Sequence, residues 1–160
     1  MLQTKRSAML KEMGKVKDEP KRALTQGQVP IAYDDYPARV EAGPYEARCI
    51  DAPPAYFDAG FRRWVQALTF ELHPNLEVLH AFLNLGTGKQ PHAGQRSNYF
   101  KAWVIAKGRP PRRGDRMTAD VFLNQLFEVD VSDVSTDCEG LDKAEPLIYS
   151  RVSRVVRRLT

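Results

Sequence analysis

Ser97 to Gly108, SNYFKAWVIAKG, is the clearest helical stretch in the chain, and what lies on either side of it decides the fold. Ser97 suits a helix start, because its hydroxyl oxygen can accept a backbone N–H bond from the first turn. Gly108 suits the stop, since it adopts the left-handed conformation at little steric cost. The spacing predicts a helix over 98–107, with Tyr99, Trp103 and Ala106 on one stripe and Phe100 and Val104 beside it. Working outward, the flanking segments read as strands. Before the helix, Tyr45 to Asp51 alternates with Tyr45, Ala47 and Cys49 on one face. Trp64 to Leu72, WVQALTFEL, puts Trp64, Leu68, Phe70 and Leu72 on one face with Gln66. Leu76 to Leu85, LEVLHAFLNL, is apolar on both faces and predicts a strand covered on two sides. After the helix, Thr118 starts a short turn through Leu123. Leu126 to Val134, LFEVDVSDV, then points Phe127, Val129 and Val131 inward, and Leu147 to Leu159 returns as a last strand. The order is strand, strand, strand, helix, strand, strand. It predicts a mainly β (α+β) domain, a five-stranded OB-type barrel with a helix between strands 3 and 4.

The bulk properties agree with one such domain and a tail. The chain has 160 residues, of which 42% are hydrophobic, enough for a single core. Residues 1–30 form a basic arm carrying Lys5, Arg6, Lys11, Lys15, Lys17, Lys21 and Arg22, and residues 31–160 form the domain. No apolar run reaches ~18 residues, so no membrane span or membrane partner is expected. No apolar segment follows the basic N-terminus, so no secretory signal is expected. Two cysteines, Cys49 and Cys138, make no disulfide framework, and the expected location is the cytoplasm. The net charge of +4 favours polyanionic partners.

The chain resembles single-stranded DNA-binding proteins of phages and mobile elements that have an OB fold. The resemblance rests on Gly43-Pro-Tyr-Glu-Ala-Arg48, on Leu68 to Leu72, and on the aromatic, basic helix ending in Lys107-Gly108. FLNQLFEVDV over 122–131 and the tyrosine-led final strand at Tyr149 complete it. It implies non-catalytic binding of a single strand during replication, recombination or transfer of such an element. Replication or recombination proteins would be further partners, and an oligomer is compatible with it. One departure is the C-terminus, Arg157-Arg158-Leu159-Thr160, where many such proteins carry an acidic, partner-recruiting tail.

Binding a single strand takes cations that track phosphates and flat rings that stack on bases. Arg96, Tyr99, Lys101, Lys107, Arg109, Arg112, Arg113 and Arg116 supply both types within one stretch, against one acid, Asp115. Arg62, Arg63 and Trp64, with Phe61, open the second strand, where an OB face binds its ligand. Lys89 sits in a glycine-rich loop, and Arg151 and Arg154 lie on the last strand. Phe100 and Trp103 also fit a core role, and Trp64 fits either a stacking platform or the core. Tyr56 and Phe57, in the loop before strand two, could lie over a bound strand.

Sharper motifs fail on spacing. Gly86-Thr-Gly-Lys89 has Leu83 where a phosphate loop needs its first glycine, and Gln90 where it needs Ser or Thr. The cysteines and histidines have no paired metal-ligand spacing. Asp130, Asp133 and Asp137 could suggest a metal-dependent nuclease, but Asp130 and Asp133 have opposite parity on a strand, which disfavours it. No enzyme activity, cofactor or metal is therefore expected. The competing class is a protein-interaction adaptor or inhibitor on the same fold, because fold does not fix function.

Overall fold

The structure is a computed structural model and describes residues 38–160; the predicted basic arm, residues 1–30, lies outside the described residues. Among the described residues the fold is mainly β, with one α-helix and six strands in one antiparallel sheet rather than the predicted five. β1 (Gly43–Asp51) pairs with β3 (Arg63–His73) on one side and β5 (Leu126–Val134) on the other. β4 (Val78–Asn84) runs along the far edge of β3, and β6 (Tyr149–Leu159) along the far edge of β5. The additional strand is β2 (Tyr56–Asp58), which pairs with the first residues of β3. Its three residues follow the Pro53-Pro54 break and are too few to show alternation. β4 and β6 approach each other, but no ladder joins them, so the sheet is not closed.

Local sequence explains most of these elements. α1 (Asn98–Lys107) starts where Ser97 Oγ accepts the Phe100 N–H. It ends where Gly108, at φ 78°, turns its N–H back to the Val104 carbonyl. Tyr99, Ala102, Trp103 and Ala106 are buried, and the helix packs against β6, β4 and the 3-10 turn Ala119–Phe122. β1, β3 and β5 bury the predicted faces: Ala47, Cys49, Leu68, Phe70, Leu72, Phe127 and Val129 are fully buried.

β4 differs from expectation. Leu79, Ala81 and Leu83 are buried, but Val78, His80 and Phe82 face outward and are exposed. Composition marks β4 as two-sided, yet only one of its faces is covered. The last strand also breaks simple alternation. Bulges opposite Glu128/Val129 and Asp130/Val131 insert an extra residue in β6 twice and bend the β5–β6 pair. Ser150 and Val152 are therefore buried two apart, and Val155 three further on. Among the described residues no helix is long and apolar enough to cross a membrane.

Candidate nucleic-acid interface

The outer face of β3 and β4 is walled on two sides by loops. One wall is the β2–β3 turn. There Asp58 Oδ1 accepts the N–H groups of Gly60 and Phe61, and Arg62 takes a left-handed φ of 51°. Asp58 stands opposite Arg63 in the ladder, so Phe61 and Arg63 project from a defined turn. The other wall is the β5–β6 connection. Asp137 closes it by accepting the N–H groups of Glu139 and Leu141. Its base is held by Arg39, which pairs with Glu145 at 2.6 Å and with Asp133 at 3.4 Å. Ser150 joins this support through Val40 and Asp133. The two walls come close at Gly60 and Cys138, where the thiol lies 3.9 Å from the space a Cβ on Gly60 would occupy.

Between the walls lies a groove of about 420 Å³. Its rings are Tyr56, Phe61, Phe82 and Tyr149, and its cations are Arg63, Lys143 and Arg151. Asp58 and Asp137 are the acids among its lining residues. Val65, on the outer face of β3, forms part of the floor and is buried at 1% exposure despite facing away from the core. Two of the cations cover rings. Arg63 Cζ stands 4.7 Å from the Phe61 ring centre, and Lys143 Nζ stands 5.1 Å from that of Tyr149. The Nε atoms of Arg63 and Arg151 are buried without a hydrogen-bond partner among the described residues. Beyond the groove the same face continues through Phe82 to His80, whose rings lie 6.0 Å apart, and on to Thr69, 3.2 Å from His80 Nδ1.

Of the residues expected to bind, the structure brings Tyr56, Phe61, Arg63 and Arg151 into this groove, and Arg62 sits exposed in the turn beside it. The rest do not form one track with them. Tyr99 is 3% exposed and its hydroxyl donates to the Met117 carbonyl, so its ring faces the core and no base. Burial, with Asp120 nearby, pushes that phenol up to about 12. Trp64 is half-buried against the core on the other face of β3, where its Nε1–H donates to Gly88 O at 3.0 Å. It anchors the glycine-rich loop that carries exposed Lys89. Arg154 pairs with Asp130 and Arg109 with Asp115, both at 2.7 Å. Lys101 and Arg154 line a smaller depression between α1, β4 and β6. Arg96, Lys107, Arg112, Arg113 and Arg116 are exposed and line no part of the groove.

Phe82, Lys143 and Tyr149 were not among the expected binding residues. Phe82 lies in the apolar run of β4, where parity marks no open face, Lys143 lies among the acids of the β5–β6 connection, and Tyr149 opens the last strand, where it reads as a strand residue. Of the acids weighed for nuclease chemistry, Asp130 pairs with Arg154, Asp133 accepts from Arg39 and Ser150, and Asp137 accepts two loop N–H groups at the groove wall.

The loop after α1 has a built interior. Asp115 accepts from Arg109 Nη1 at 2.7 Å and from the Arg112 N–H at 2.6 Å. These bonds, the Arg109 one first, hold its carboxyl down to about 2, against an ordinary 3.8. A depressed carboxylate stabilises the fold above its unfolded value and loses that contribution as pH falls through its folded value. The stability gap between wild type and Asp115→Asn is therefore expected to be full at pH 4 and above and to shrink toward pH 2. Urea unfolding across that range measures it, and a gap independent of pH would contradict the pairing.

No protein-family model matches the chain, and the search of curated proteins found no match.

Proposed function

We propose that the chain binds a single-stranded nucleic acid, with bases stacked on the rings of the groove and phosphates on its rim cations, and that its sheet is an OB-type barrel. The strand connections support the fold reading. Taken without β2, the order β4-β3-β1-β5-β6 with a helix between β4 and β5 is that of an OB barrel opened between its third and fifth strands. In such barrels the face of strands two and three, with the loops after strands one and four, receives oligonucleotides. The equivalent positions here are β3, β4, the segment around β2 and the β5–β6 loop, which are the walls and floor of the groove. The single observation that carries the functional reading is the conjunction of four rings and three cations in one open groove. Rings accept any base face, and cations track the backbone between them.

Cys138 supplies a direct test. It is exposed and lines the groove, whereas Cys49 is fully buried and burial pushes its thiol up to about 12. A thiol-alkylating reagent is expected to modify Cys138 alone. A dT oligomer at ~50 mM salt should bind, as read by fluorescence anisotropy, and should slow that alkylation several-fold. Absence of binding at that salt rejects the proposal. Binding with unchanged alkylation moves the site elsewhere.

A further inference from the structure

Lys107 at the end of α1 and Arg112, Arg113 and Arg116 of the loop that joins it to the 3-10 turn remain outside the groove. Asp115 is the acid between Lys107 and Arg116, and it is turned onto Arg109 and the Arg112 N–H. Arg109 also donates to the Pro110 carbonyl, and the Pro110-Pro111 pair restricts the backbone between. The loop is thus pinned from within. Arg112, Arg113 and Arg116 are exposed and make no salt bridge among the described residues, and Lys107, exposed at the end of α1, makes none but lies within coulombic reach of Asp115. No exposed ring accompanies them, since Tyr99 and Trp103 are buried and Phe100 is half-buried. The surface offers charge without a stacking platform.

The C-terminal end of the loop lies on the other side of β3 from the groove. Met117 and Thr118, which follow it, line an apolar cavity of about 700 Å³ together with Gln66, on the inward face of β3. The groove is floored by the outward neighbour Val65.

We infer that the Lys107–Arg116 loop is a second nucleic-acid contact, gripping the phosphates of a duplex without reading its bases, so that one molecule holds a duplex and a single strand together. The two-segment consequence rests on the groove reading, whereas the duplex contact stands without it. Three exposed arginines without a salt bridge on a fixed loop, with Lys107 at the helix end before it, match a backbone with closely spaced phosphates. The lack of rings makes unpaired bases irrelevant to this surface.

The test uses the full chain, a short labelled duplex and a labelled dT oligomer. Arg112→Glu, Arg113→Glu and Arg116→Glu are combined in one variant. All three side chains are exposed, and a thermal melt verifies folding. The variant should lose duplex affinity by at least about tenfold and lower its salt slope by about 3, while its oligomer affinity stays within about twofold. With the duplex on beads, wild type should retain the oligomer and the variant should not. Wild-type duplex affinity in the charge-reversed protein, or competition between duplex and oligomer for one site, overturns the inference. Loss of oligomer binding in wild type with duplex binding intact rejects the groove reading alone.

Discussion

Phe82→Ala is expected to weaken binding of a dT oligomer roughly 5- to 150-fold, the range for removing one base-stacking ring. Phe82 points outward from β4 at 36% exposure. Its ladder partner on β3 is Ala67, which is too small to cover the ring, so one aromatic face stays open. The same side chain contributes little to the core, because Leu79, Ala81 and Leu83 fill the inward face of the strand. Its loss should therefore cost less than about 1 kcal/mol of unfolding free energy. Anisotropy titrations at fixed salt, paired with urea denaturation, separate the two effects. An affinity unchanged within about twofold would remove Phe82 from the interface, and with it the main reason for preferring rings over charge in the groove.

Phe122→Ala should produce the opposite pattern, a loss of about 3–5 kcal/mol in stability as the fold loses a fully buried ring. Phe122 lies in the 3-10 turn after the basic loop, at 0% exposure. Its ring is 6.1 Å from Tyr99 of α1 and 6.1 Å from Phe127 of β5, and Phe127 is 6.2 Å from Phe70 of β3. Four rings thus run in contact from the helix into the middle of the sheet. No rearrangement of one neighbour fills the void, because the rings belong to different elements. Urea denaturation should show a lower midpoint with an unchanged slope. A loss under about 1 kcal/mol would mean that α1 and the turn do not share the sheet's core.

The contrast between these two phenylalanines marks how far the residue pattern could be read. Phe127 and Phe70 announce themselves as core through the alternation of their strands, and the structure buries both, whereas Phe122, in a short turn without such a period, is placed in the core by the tertiary structure alone. Phe82 sits in LEVLHAFLNL, where apolar residues occupy both parities, so pattern alone assigns it to a covered face. Trp64 and Tyr99 mislead in the other direction. Each lies among basic residues and looks available for stacking, yet Trp64 holds the Gly88 carbonyl and Tyr99 the Met117 carbonyl. The basic residues are the least legible. Arg109, Arg154 and Arg157 carry the same charge as Arg112 and Arg113 in sequence, but they pair with Asp115, Asp130 and Glu128. Arg154 and Arg157 find their acids across the β5–β6 ladder, at separations that no local spacing rule reaches.

By itself the sequence determined the elements whose signals are local. Helix capping and left-handed glycine act within one turn, and alternation acts between neighbours two apart, so α1 and β5 appear with the expected bounds. It also determined which faces of β1, β3 and β5 are buried. Only the tertiary structure decided that β4 is open on one side, that β2 exists, and that the cations divide between a ring-lined groove and a separate loop. Those outcomes depend on which distant segments meet, and pairing, screening and burial are properties of the meeting rather than of any single stretch of chain.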